Sequence, residues 1–269
     1  MDLGLQGRVA VVTAATANIG RSVALDLAAE GVKLVAVGRD ADAGAALVAA
    51  AIERGASEAV FVAADLLDPA SPARIMAAAD ALGPLKVLVN GVGGNVDQGL
   101  FVASEPATWA GDIGLNFGSL LGMTHAALPA MIAGGGGAVV NSGSTAGLVG
   151  DYMLPVYSAM KGAVHSFTVI LAKELAQHGI RVNAVAPYAT FAQDPDAYSK
   201  GSRFHPDSGF FAKMPRVSAE EQAIRQRRTF VGKPFAVPED ISGLVAFLAS
   251  DRAAFITGQV YAVDGGSLM

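Results

Sequence analysis

Tyr157 and Lys161 stand four residues apart in Tyr157-Ser158-Ala159-Met160-Lys161, at the opening of a stretch with helical spacing. Residues four apart share a helix face, so the phenol and the ammonium can sit side by side. A neighbouring cation favours phenolate and draws a tyrosine pKa down from about 10 towards working pH, which suits Tyr157 to general acid or base work. Thirteen residues earlier, Ser144 follows a β-rich run in Asn141-Ser142-Gly143-Ser144-Thr145. A hydroxyl there could polarise a carbonyl that Tyr157 protonates. Ser142 competes for that role, and could equally be a turn residue.

A second patch of chemistry lies near the start of the chain. Thr13-Ala14-Ala15-Thr16-Ala17-Asn18-Ile19-Gly20 separates an apolar run from a helical one. A turn of this kind aims backbone N–H groups and the positive end of a helix dipole at one point, where a pyrophosphate can sit. Ala14 and Asn18 occupy places where a phosphate-binding loop normally has glycine. Asn tolerates the left-handed conformation better than other non-glycine residues, and Ala14 adds only a methyl. The turn alone could also be a plain strand-to-helix connection. The next apolar run ends Val37-Gly38-Arg39-Asp40. An acid at such a place binds ribose hydroxyls, whereas an arginine receives a 2′-phosphate, so Arg39 favours NADP over NAD, with Asp40 still a rival for the ribose.

These residues need elements to hold them. Short apolar runs recur at 8–13, 33–37, 59–63, 87–90, 138–141, 181–185 and 259–263, with Ala-rich helical stretches between them, such as 19–30 and 157–178. Uniformly apolar strands alternating with helices predict an α/β fold, a Rossmann-type doubly wound parallel sheet in three αβα layers. No repeat or linker divides residues 1–269, so one domain is expected. Residues 189–236 break the rhythm and hold seven of the eighteen aromatics, among them Phe191, Tyr198, Phe204, Phe210, Phe211, Phe230 and Phe235. A long irregular segment inside a compact domain reads as a substrate-binding loop or lid.

Charged residues make up 16% of the chain, against about 25% in an ordinary soluble domain. No uninterrupted apolar run reaches the roughly 18 residues of a membrane span, and the N-terminus lacks a secretory pattern, so a cytoplasmic protein is expected. The absence of cysteine excludes thiolate chemistry, and a net charge of −5 argues against nucleic acid as a partner. No metal is expected.

The whole series resembles the short-chain dehydrogenase/reductase family over nearly the full length. The matching residues are the Thr13 to Gly20 turn, Asp65 in Ala64-Asp65-Leu66, Asn90-Gly91-Val92-Gly93, Asn116, Ser144, Tyr157 with Lys161, Arg181-Val182-Asn183-Ala184-Val185-Ala186-Pro187, and Val263-Asp264-Gly265-Gly266. The resemblance implies hydride transfer between a nicotinamide and a carbinol or carbonyl carbon. Tyr157 would give or take the proton, Lys161 would tune it and hold the nicotinamide ribose, Ser144 would orient the substrate oxygen, and Asn116 would anchor a proton-relaying water. Thr13, Ala14, Thr16, Asn18, Ile19, Gly20, Arg39, Asp65, Leu66, Asn90, Gly91, Pro187, Tyr188 and Thr190 would line the cofactor, and Gly94 and Tyr188 the substrate. The chain departs from the family at Ala14 and Asn18, at Gly91-Val92 where Asn-Ala is usual, at Tyr188 where Gly is usual, and at Ala192 in place of a threonine.

The expected reaction is therefore NAD(P)-dependent interconversion of a secondary alcohol and its ketone. Tyr188 with the aromatics of 189–236 would select a cyclic or aromatic small-molecule substrate, unless Tyr188 turns outward against the loop. Eight basic against five acidic residues in that segment leave a carrier- or coenzyme A-linked 3-oxoacyl thioester as the alternative. A non-catalytic dinucleotide-binding regulator is the alternative of another class. Between Ile113 and Met160 the only Asp, Glu, Lys or Arg is Asp151. So apolar a stretch fits what the family resemblance implies, a homo-oligomer, a tetramer or a dimer, in which the helix before Gly134 and the Tyr157 to His178 helix pack against a partner.

Overall fold

Valine-rich segments too short and too uniformly apolar to form exposed strands pair here into a single buried sheet. A computed structural model describes residues 2–200 and 226–269, with positions 202, 205, 207, 218, 220 and 224 between them. The strands are β1 (Val9–Val12), β2 (Lys33–Gly38), β3 (Glu58–Ala63), β4 (Leu85–Asn90), β5 (Gly137–Ser142), β6 (Ile180–Pro187) and β7 (Val260–Val263). All pair in parallel, in the order β3-β2-β1-β4-β5-β6-β7.

Successive strand residues point to opposite faces, and the sheet has a core on each. Ala10, Val12, Leu34 and Ala36 pack with Val23 and Leu27 of α1 (Asn18–Ala29) and with Ile241 and Leu248 of α8 (Glu239–Ala249). Their neighbours Val9, Val11, Val35 and Val37 pack with Ile75, Met123 and Leu171, which belong to α3 (Ser71–Leu82), α5 (Ser119–Ala133) and α7 (Pro155–Leu175). The remaining helices are α2 (Ala41–Arg54), α4 (Pro106–Ile113) and the single turn α6 (Ala146–Val149). The predicted three-layer sandwich is thus present, with strand ends within two residues of the expected ones. Among the described residues no helix is long and apolar enough to cross a membrane.

Strand order reverses between β1 and β4, the place where open α/β sheets bind ligands beyond the carboxyl ends of their strands. Leu121 and Ile132 on α5, and Val169 and Ile170 on α7, remain exposed. They lie on the two helices from which an oligomer contact was expected.

Candidate active site

A cavity of about 760 Å³ opens over the carboxyl edge, walled by the segments that follow β1, β2, β3, β4, β5 and β6. At one end is the turn before α1. Ala14 and Asn18 both adopt the left-handed conformation, with φ of 54° and 47°, so the two residues standing in for glycine do take up glycine's geometry. Gly20 is fixed by contact, since a Cβ there would lie 2.0 Å from the Ala14 carbonyl oxygen. Ala17 caps α1 without a side-chain hydrogen bond, and no acid occupies the first turn. The unsatisfied N–H groups of Asn18, Ile19 and Gly20 therefore belong to a helix start that borders the cavity. That is the chemistry a pyrophosphate requires, and the residues present fit a dinucleotide.

Beyond the turn, Thr16, Arg39, Asp65, Leu66 and Gly91 also line the cavity. Asp40 does too, but its carboxylate is committed elsewhere. Oδ1 caps α2 by accepting from the Asp42 and Ala43 amides, and Oδ2 accepts from the Lys200 amide. These hydrogen bonds, the Ala43 amide first, hold its carboxyl below the usual range. Three of its roughly four acceptor sites are thus taken within the protein, and a ribose hydroxyl would have to share Oδ2 with the Lys200 amide. Thr13 and Asn90 stand behind the wall instead of in it. Thr13 Oγ1 donates to the Val89 carbonyl and accepts from the Gly91 amide at 2.8 Å, while Asn90 Nδ2 donates to Thr124 and Asn141. Both hold the strand ends that shape the pocket.

At the other end, Ser142, Ser144, Tyr157 and Lys161 converge. Tyr157 and Lys161 lie on α7, one turn apart, with Lys161 Nζ 5.8 Å from the phenol ring centre. Lys161 Nζ donates to the Ser142 carbonyl at 2.7 Å. Ser142 thus contributes its main chain, and Ser144 is the serine whose side chain acts to lower the Tyr157 pKa. Ser144 Oγ also accepts from the Ala146 amide at 3.1 Å. Gly93 fits between Lys161 and Asn116, because a Cβ there would lie 2.6 Å from the one's Nζ and 3.1 Å from the other's Oδ1.

Asn116 occupies a π-helical turn, Gly114–Gly118, joining α4 to α5. Such turns are rare and concentrate at functional sites. Its amide is nevertheless fully occupied, accepting from the Gly94 N–H and donating to the Gly94 and Asp112 carbonyls. Only 1% exposed, it pins the Gly94 loop and does not itself line the cavity. Asp112 reinforces the pin by accepting from the Val96 amide at 2.8 Å.

The electrostatics reverse one expectation. Burial pushes the Tyr157 phenol up to about 12, the hydrogen bond from Ser144 working against it, and Lys161 is not among the groups that lower it. The reason is symmetric. Lys161 is itself buried, and desolvation pushes its ammonium down to about 8. In the protein alone, the pair holds a protonated phenol beside a cation that is only weakly favoured.

Tyr188, Phe191, Phe235 and Leu154 form the apolar wall of this end, with Phe191 and Phe235 in edge-to-face contact at 5.2 Å. Tyr188 is buried, not turned outward, yet it does pack against the returning loop. Its hydroxyl accepts from the Arg227 amide at 2.9 Å, and the Arg227 guanidinium lies 4.7 Å above its ring. Arg227 reaches on to Thr145 and forms an ion pair with Asp151. Of the other loop aromatics, Phe230 is exposed and Tyr198 donates to the Ala192 carbonyl. Phe204, Phe210 and Phe211 lie outside the described residues. Thr190 lines the cavity, and its carbonyl accepts from Asn18 Nδ2, which ties the loop to the phosphate turn.

Sequence reasoning missed Arg227, Asp112 and His165. The lone acid in a charge-free stretch, Asp151, was the available signal for Arg227, since a half-buried charge needs a partner. Asp112 and His165 carried helical spacing as their only sign, four residues from Asn116 and from Lys161 respectively.

The family description "short chain dehydrogenase" matches residues 8–196. "Inactive 2-(S)-hydroxypropyl-CoM dehydrogenase 2" of Xanthobacter autotrophicus is 39% identical over 88% of this chain and 95% of its own. Cis-4-hydroxycyclohexanecarboxylate dehydrogenase of Sinomonas cyclohexanicum is 36% identical over 96% of each. A crystal structure assigned to the short-chain dehydrogenase/reductases, from Burkholderia xenovorans, superposes with a TM-score of 0.84 at 31% identity, covering 98% of this chain and 97% of that one. The phosphate turn, the Ser144–Tyr157–Lys161 cluster and these likenesses agree, and the chain belongs to the short-chain dehydrogenase/reductase family of oxidoreductases acting on CH–OH groups with NAD(P).

Proposed function

We propose that this protein is an NADP-dependent dehydrogenase that interconverts a cyclic, largely apolar secondary alcohol and its ketone. The observation that carries the reading is the meeting of Ser144, Tyr157 and Lys161 in one cavity that is also walled by Tyr188, Phe191 and Phe235. A ring buries more apolar area against such a wall than a short aliphatic chain does. The ring named in the Sinomonas relative is in keeping with this choice.

A bound nicotinamide dinucleotide would supply the hydride in reduction and receive it in oxidation. The start of α1 would hold its pyrophosphate, Asp65 and Gly91 its adenine side, and Lys161 its nicotinamide ribose. Arg39 would take a 2′-phosphate; the commitment of Asp40 to the α2 cap supports NADP over NAD. Ser144 would hold the substrate oxygen. Tyr157 would pass its proton to that oxygen in reduction and accept the alcohol proton in oxidation, so that no charged oxygen is stranded in a dry site.

The thioester alternative needs cations for an anionic carrier. Lys200, Arg227 and Lys233 are instead paired with Asp42, Asp151 and Asp240. The non-catalytic alternative has an inactive relative in its favour, but a binding module has no use for Ser144, Tyr157 and Lys161 together. A homotetramer in the cytoplasm completes the proposal, with the exposed apolar residues of α5 and α7 covered, and light scattering at micromolar concentration should return four times the monomer mass.

The deciding assay is a panel of cyclohexanol, 4-hydroxycyclohexanecarboxylate, 2-propanol and a 3-oxoacyl thioester, each with both cofactors. The expected result is fastest turnover of a ring alcohol with NADP. Equal rates for cyclohexanol and 2-propanol would overturn the substrate class, thioester reduction alone would favour the acyl alternative, and no turnover of anything would favour the non-catalytic one.

A further inference from the structure

Tyr157, Lys161 and His165 follow one another at four-residue intervals along one face of α7. The third has no part in the mechanism above, yet it is buried directly beneath the serine. Its Nε2 accepts from the Ser144 amide at 3.4 Å. The ring lies against Gly143, where a Cβ would come within 2.3 Å of Nε2, so the glycine is required for the imidazole to reach the serine. Burial, with Lys161 adding repulsion, keeps the imidazole neutral and its Nε2 lone pair available. The ring proton then belongs on Nδ1, which has no partner in hydrogen-bond geometry.

A buried donor without a full partner costs about 1–3 kcal/mol, and a leucine would fill the same space without that cost. A polar ring retained at such a place calls for an explanation beyond packing. We propose that His165 is a positioning residue: its imidazole fixes the main chain at Ser144, and so aims the serine hydroxyl at the oxygen that Tyr157 protonates. The inference rests on the alcohol–ketone reading of the site. Ser144 Oγ has one tether of its own, the Ala146 amide, which belongs to the same loop and cannot fix that loop against α7. His165 links Ser144 itself to the helix that carries Tyr157, beside the Lys161 bond to the Ser142 carbonyl two residues earlier.

The test compares His165→Leu, His165→Gln and His165→Asn with the wild type on its best panel alcohol. A misplacement of about 1 Å costs up to about a hundredfold in rate, so His165→Leu should lose about ten- to a hundredfold in kcat with the KM for NADP changed less than about twofold. Its thermal midpoint should stay within a few degrees of the wild type, because leucine removes the unpartnered Nδ1 donor but leaves the Ser144 amide without its acceptor. Glutamine places an acceptor where Nε2 stands and should restore kcat to within about threefold, whereas asparagine, too short, should not. A folded His165→Leu enzyme with wild-type kcat would overturn the proposal. Where His165→Leu does not fold, equal kcat in the Gln and Asn variants would do the same. Failure of the alcohol–ketone reading is a separate result, visible in the wild type as absent turnover.

Discussion

Lys161→Met should make the protein more stable while it removes the activity, and the stability gain should vanish as pH rises. Lys161 is 2% exposed and its ammonium is pushed from 10.5 to about 8 by burial alone. At about 1.4 kcal/mol per pH unit, that difference is an energetic cost of about 3 kcal/mol for the folded state while the lysine is charged in both states. A lowered base pKa means the penalty is fully present below pH 8 and is lifted between 8 and 10.5, because there the unfolded chain binds the proton that the folded chain has released. Methionine removes the charge and also the hydrogen bond to the Ser142 carbonyl, a loss of about 1 kcal/mol. The net expectation at pH 6.5 is a gain of about 2 kcal/mol. At pH 10 most of the penalty has already gone from the wild type, so the variant should be equal or slightly worse. Urea unfolding followed by far-ultraviolet circular dichroism, at one protein concentration and at both pH values, measures this. A difference between the two proteins that does not change with pH would refute the reasoning, since nothing but the charge titrates in that comparison.

Tyr157→Phe should leave NADP binding intact, by isothermal titration, and lower kcat by about a hundredfold or more, the usual worth of a positioned general acid. Alcohol oxidation should quicken with pH across the alkaline range, by up to about tenfold per unit below the Tyr157 value of about 12, because the base form is scarce at neutrality. Ketone reduction should not rise in parallel, since the phenol is protonated throughout. A pH series in each direction decides this. Ala14→Gly should relieve a left-handed backbone at φ 54°, worth about 1 kcal/mol after the unfolded chain's gain in freedom, and raise the thermal midpoint by a few degrees without loss of NADP affinity.

The fold was legible because its signal is local and redundant. Each strand is a short valine-rich run, the runs alternate with helical stretches, and run length with β-branched content separates the two. The Tyr157–Lys161 pair was equally legible, since four-residue spacing on a helix is a fixed geometry. Less legible was anything that depends on what surrounds a side chain. Asp40 reads in sequence only as a rival of Arg39 for the ribose, and nothing in its spacing foretells that the start of α2 and the Lys200 amide both bind its oxygens. Tyr188 reads as wall or outward packing, and folding makes it both wall and anchor for Arg227, thirty-nine residues away.

The sequence by itself determined the order of strands and helices, the family to which the chain belongs, the placing of Tyr157 one helical turn from Lys161, and the Thr13 to Gly20 turn with two residues where glycine is usual. Tertiary structure alone decided which serine faces Tyr157, which residues stand behind the wall, and the proton affinities of Tyr157 and Lys161. Spacing fixes which groups are neighbours along an element, whereas the free energy of a charge depends on how much water the rest of the fold removes from around it. Lys161 is a cation by residue type, and it is burial among segments distant in the chain that makes it a weakly held one.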